Sequence, residues 1–169
     1  SQRLFNLCDY VITGESDFSF KELCNSILQN QDRPLHKIIK SSLPDINMIE
    51  LPYQLYTDED IKNRIIYVEA SRGCPYKCEY CLSSLDKSVR NFNLDLFIKN
   101  IDQLIERGAR TFKFVDRTFN LSPTLSTQIL KYFLSKIDLN LFLHFEMVPD
   151  RLPNEIKDLI VQFPPGSLQ

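Results

Sequence analysis

The chain has no Trp and only two His, and 20 basic against 22 acidic residues leave a net charge of −2. Near-neutral charge with scattered Lys and Arg gives no electrostatic footprint for nucleic acid. No apolar run approaches the roughly 20 residues of a membrane span, which excludes a helical anchor within this sequence. No basic n-region followed by an apolar h-region opens it, so a cytoplasmic location is expected. Five cysteines is an odd number and fits a disulfide framework badly. What is there is ordinary: 43% hydrophobic residues, enough to build a core.

Hydrophobic periodicity orders the chain as strands alternating with helices. Cys8 to Ile12 reads as a short strand ending in Thr13-Gly14-Glu15. A helix follows, with Ser19 as the expected N-cap and Glu22 in capping-box spacing. Phe20, Leu23, Cys24, Ile27 and Leu28 form its apolar face, and Cys8 and Cys24 are read as buried structural cysteines. From Asn30 to Asn63 the chain is irregular, with Pro34, Pro44 and Pro52 and one short strand expected near His36 to Ile39; it reads as a linker.

Three strand–helix units come next. The strand Ile65 to Ala70 precedes a helix from Leu94 to Arg107, with Asn93 as N-cap and Gly108 beyond its end. The strand Thr111 to Val115 precedes a helix that opens at Ser122-Pro123, where Pro suits the first turn. The strand Asn140 to Phe145 precedes a helix opening near Pro153. Such alternation implies a parallel sheet, and three units form part of a (β/α) barrel. An open half-barrel exposes a strand edge and apolar helix faces, so self-association is expected.

Cys74, Cys78 and Cys81 stand at C-x3-C-x2-C spacing in Ser71-Arg72-Gly73-Cys74-Pro75-Tyr76-Lys77-Cys78-Glu79-Tyr80-Cys81. Three thiolates hold three corners of an iron–sulfur cube and leave one iron open to a substrate or cofactor. Zinc would need a fourth ligand, and His36 and His144 lie far away in sequence. The run resembles the signature of radical S-adenosylmethionine (SAM) enzymes, C-x3-C-x-aromatic-C, with Tyr80 as the aromatic. The flanks Glu69-Ala70-Ser71-Arg72-Gly73-Cys74-Pro75 and Leu82-Ser83-Ser84 resemble the subclass with an upstream cobalamin-binding domain.

The resemblance implies an α/β fold in which 64–169 is the first half, three βα units, of a six-unit partial (β/α) barrel. It makes 31–63 a linker and 1–30 the last βα unit of a Rossmann-like cobalamin-binding domain. It implies a 4Fe-4S cluster on Cys74, Cys78 and Cys81, SAM on the open iron, and reductive cleavage of SAM. Methyl transfer or rearrangement of an unidentified substrate would follow, with flavodoxin or ferredoxin as electron donor. Cobalamin is expected only in a full-length protein, because the D-x-H-x-x-G signature is absent here. The full-length protein is expected to be an enzyme and this stretch alone inactive.

No catalytic residue separates from the cluster site. The resemblance places Tyr80 near the SAM adenine. It makes Asp116, in Asp116-Arg117-Thr118-Phe119-Asn120, the nearest acidic receiver of the SAM amino group, where many relatives carry a Gly-Gly-Glu-like stretch. Glu146 ends the third strand and is read as facing the ligand, while His144, on the same face by alternation, is read as structural. Glu69 and Arg72 are read as a pair that shapes the loop. Other readings stay open: a non-catalytic iron–sulfur or zinc module, a folding unit without metal, Tyr80 filling the loop's own core, and Asp116 as a turn cap or surface partner of Arg117.

Overall fold

The computed structural model describes residues 2–29, 33–81, 88–150 and 152–169. Leu82-Ser83-Ser84, part of the resemblance, lies outside the described residues. The chain divides into two compact units, Ser1–Glu50 and Leu51–Gln169.

In the first unit, helix Gln2–Leu7 (α1) leads to strand Val11–Thr13 (β1) and helix Asp17–Leu28 (α2). Strand Ile38–Lys40 (β2) runs parallel to β1, with Val11 opposite Ile38. Gly14 makes the turn between β1 and α2 at φ +87°, a conformation open to glycine. The helix starts three residues earlier than its capping-box pattern suggests: Ser16 holds the N-cap position, and Ser19 sits inside the helix. The Ser19 hydroxyl is instead 2.8 Å from that of Ser41, which donates to the Glu15 carbonyl. Of the expected apolar face only Leu23 is buried; Phe20 is 59% exposed and Leu28 79%. A two-stranded sheet has room to cover only one stripe of a helix, and Cys8 and Cys24 end half-buried.

The stretch that reads as a linker is ordered by local hydrogen bonds. Besides β2 it holds 3-10 turns at Ile46–Met48 and Pro52–Leu55 and a helix at Asp58–Asn63 (α3). A capping box opens α3: the Asp60 N–H donates to the Thr57 hydroxyl at 3.1 Å, and the Thr57 N–H to the Asp60 carboxylate at 3.0 Å. Its prolines and polar residues therefore make turns and caps.

The second unit is built on strand Ile66–Val68 (β3), then Ser71–Arg72 (β4), antiparallel to Arg90–Asn91 (β5). Helix Leu94–Glu106 (α4), strand Thr111–Phe114 (β6), helix Pro123–Leu134 (α5), strand Phe142–His144 (β7) and helix Asn154–Ile160 (α6) complete it. Its sheet has the order β3-β6-β7, all parallel. The fold is thus mixed α/β with parallel sheets. Asn93 caps α4 through the Leu96 N–H at 2.9 Å, and Gly108 beyond its end takes φ +105°. Phe97, Ile101, Leu104 and Ile105 are its buried side.

One face of the sheet carries the core. Ile66, Val68, Phe112, Phe114 and Leu143 are each at most 1% exposed, and Ile129, Leu130 and Phe133 of α5 are buried as deeply. Aromatic rings knit the strand ends to the loops: Phe114 to Phe145 at 4.6 Å between centroids, Phe119 to Phe145 at 4.2 Å. Both outer strands have partners. Along β3, the Tyr56 hydroxyl meets the N–H and carbonyl of Tyr67 at 3.1 and 3.2 Å, and the Tyr53 hydroxyl those of Glu69 at 2.8 and 3.2 Å. Burial pushes the Tyr53 phenol up, so it keeps the proton it donates. Along β7, Ser167 to Gln169 run parallel and bond to Leu143 and Phe145.

Candidate functional site

The three parallel strands end at one edge, and the loops that follow them meet there. The cysteine loop follows β3 and β4, the Asp116 loop follows β6, and Glu146 follows β7. This C-terminal edge is where α/β sheets place their sites.

The entrance to the cysteine loop is fastened from several sides. Asp116 is 2% exposed and accepts from the Ala70 N–H at 3.0 Å and the Ser71 hydroxyl at 2.6 Å, using both carboxylate oxygens. Burial pushes its carboxyl above the usual range, and the bonds from Ser71 and Ala70 oppose that rise. Asp116 is neither a surface partner of Arg117 nor exposed, and its oxygens are already committed to the loop. Glu69 and Arg72 do pair: the Arg72 Nε–H is shared between both Glu69 oxygens at 3.0 Å, and its guanidinium lies over the Phe92 ring. Gly73 has φ +93°, and a Cβ there would run into the Ser88 carbonyl. Glycine is required at that point both for conformation and for space.

Beyond Gly73 the loop turns outward. Cys74 is buried, its Sγ 3.8 Å from the Thr118 hydroxyl, while Cys78 and Cys81 are exposed and joined by a backbone bond of 3.1 Å. None of the five cysteines forms a disulfide. Tyr80 is 96% exposed, so it does not fill a core of the loop. Glu146 is exposed, and its carbonyl accepts from the Phe119 N–H at 2.8 Å, lacing the second and third loops together. Asn120 adds two bonds to Val148, at 2.7 and 3.0 Å. Because Leu143 and Phe145 are buried, His144 and Glu146 point to the other face, away from the helices.

Among the described residues no group of three or more His, Cys, Asp or Glu side chains is gathered so as to hold a metal ion. The donor set nevertheless fits an iron–sulfur cluster by its chemistry: three thiols in one loop. Ser71, Thr118 and Tyr53 are site-supporting residues that sequence reading missed. Their partners lie 16 to 45 positions away, with no periodic signal to mark them.

No protein-family model matches the chain. It is 26% identical over 145 residues to an uncharacterized methyltransferase of Pyrococcus horikoshii, covering 72% of this chain and 31% of that protein. It is also 26% identical over 115 residues to the hopanoid C-2 methylase of Rhodopseudomonas palustris, covering 66% of this chain and 22% of that protein. Among solved structures it is similar to the radical SAM methyltransferase TsrM of Kitasatospora setae with cobalamin and a 4Fe-4S cluster bound. The TM-score is 0.51 at 19% identity, over 59% of this chain and 20% of TsrM. The same enzyme with tryptophan and a SAM analogue aligns with a TM-score of 0.50 at 19% identity, over 58% of this chain and 20% of that one. The chain is thus similar in sequence to methyltransferases and in fold to part of a radical SAM methyltransferase. It spans under a third of the length of the curated relatives it matches. No helix among the described residues is long and apolar enough to cross a membrane.

Proposed function

We propose that this chain is the cluster-bearing part of a radical SAM methyltransferase, in which Cys74, Cys78 and Cys81 hold a 4Fe-4S cluster. The observation that carries this reading is the C-x3-C-x2-C loop at the C-terminal edge of a parallel sheet, its entrance pinned by Asp116. Bound there, a cluster with one open iron supplies the electron that cleaves SAM reductively. The rest is orientation. Asp116 fixes the strand-to-loop joint, Glu69 and Arg72 hold its shape, and Cys74 sets the depth of the first thiol. Tyr80, exposed one residue before the last cysteine, would contact the adenine of SAM, and Glu146, exposed after the third strand, would face the ligand.

Methyl transfer is preferred to rearrangement because both curated relatives are named for methylation. Residues 64–169 would then be three units of a partial (β/α) barrel, and residues 1–30 the end of a cobalamin-binding domain. Cobalamin, a flavodoxin- or ferredoxin-type donor and a cytoplasmic setting belong to the same proposal. The test is anaerobic reconstitution with iron and sulfide followed by electron paramagnetic resonance. A four-iron signal that changes on adding SAM supports the reading; one tightly held zinc and no iron overturns it.

A further inference from the structure

The face of the sheet turned away from the helices carries a polar row. In register across the three strands stand Tyr67, Lys113 and His144: Tyr67 pairs with Lys113, and Lys113 with His144. Alternation puts Ile66, Phe112 and Leu143 on the buried side, so these three share the opposite side. Lys113 and His144 are half-buried and Tyr67 is 49% exposed. Among the described residues none of the three side chains makes a hydrogen bond or ion pair. Glu146 follows His144 by one pleat on the same face, toward the loop edge, and forms no ion pair with Lys113 among the described residues.

A phenol, an ammonium and an imidazole in one row need an explanation. Inward positions of barrel strands are usually filled by bulky branched apolar residues. An ammonium packed among such residues without a partner carries a heavy desolvation cost. Together the three groups present several donors, an ammonium among them, over about 10 Å, because neighbouring strands lie about 4.8 Å apart. Donors so arranged match an oxyanion.

We infer that Tyr67, Lys113 and His144 bind the carboxylate or phosphate group of the molecule that reacts beside the cysteine loop. This rests on the proposed function for what reacts there, but the row is testable without the cluster. With only two His in the chain, the ring resonances of His144 and His36 are separable by NMR. Acetate and inorganic phosphate are titrated separately, replacing chloride at constant ionic strength. The expected result is a saturable shift at His144 with none at His36, weakened about tenfold in Lys113→Met and retained in Lys113→Arg. Tighter saturation by acetate assigns a carboxylate ligand, and tighter saturation by phosphate a phosphorylated one. Shifts that stay linear, that are equal at both His, or that survive Lys113→Met overturn the inference. Iron uptake by Lys113→Met is measured in parallel and is expected to be unchanged. An unaltered chain that takes up iron normally but shows no anion response sinks the row alone. A normal anion response without iron uptake by the unaltered chain sinks the cluster reading alone.

Discussion

From Ala70 to Cys74 the cysteine loop is held by a buried carboxylate, an ion pair, a required glycine and a buried thiol. From Cys78 to Cys81 it is exposed, with one backbone bond closing the turn between the two thiols. The contrast teaches that packing fixes the position of one sulfur, whereas burial contributes nothing to the other two. Stability and metal binding should therefore separate along a single loop.

Asp116→Ala strikes the fastened half hardest, because it strips acceptors from the Ala70 N–H and the Ser71 hydroxyl in a dry setting. A loss of about 2–3 kcal/mol in urea unfolding is expected. A loss below about 0.5 kcal/mol, the range of an ordinary surface change, would show that the joint is held elsewhere. Tyr53→Phe removes the hydroxyl that brackets Glu69 and should cost about 1 kcal/mol in the same assay.

The sign of the pH response sharpens the contrast. Burial raises the folded-state value of Asp116, so folding favours its protonated form. That contribution is fully present below the unfolded carboxylate value and is lost as pH rises through the folded one. The stability gap between the unaltered chain and Asp116→Asn should thus widen as pH falls from neutrality into the acid range. A gap that narrows contradicts the assignment. At the exposed half, Cys78→Ser and Cys81→Ser should each shift stability by under about 0.5 kcal/mol while abolishing iron uptake on reconstitution. A clearly destabilised variant would mean that these thiols already serve the fold.

What the sequence made legible was local. Helix α4 follows from its apolar repeat, the Asn93 cap and Gly108, and α5 from Pro123. The Glu69–Arg72 pair was legible at three-residue spacing. The capping box of Thr57 and Asp60 was equally local, and was lost in the irregular composition around it. The Ser19-to-Glu22 spacing misled because Ser16, three residues ahead, also suits an N-cap, and the chain turns into α2 there. The anchoring of the cysteine loop is not local at all. Asp116 lies 45 positions from Ser71, and only the parallel pairing of β3 with β6 brings them together. The same pairing aligns Tyr67 with Lys113, a juxtaposition invisible until register is known.

The most direct test of the central claim is Mössbauer spectroscopy of the anaerobically reconstituted chain, with and without SAM. Three cysteine ligands predict about four irons per chain, one of them distinct and altered when SAM is added. A spectrum indifferent to SAM, with all four irons bound by protein side chains, would contradict the account.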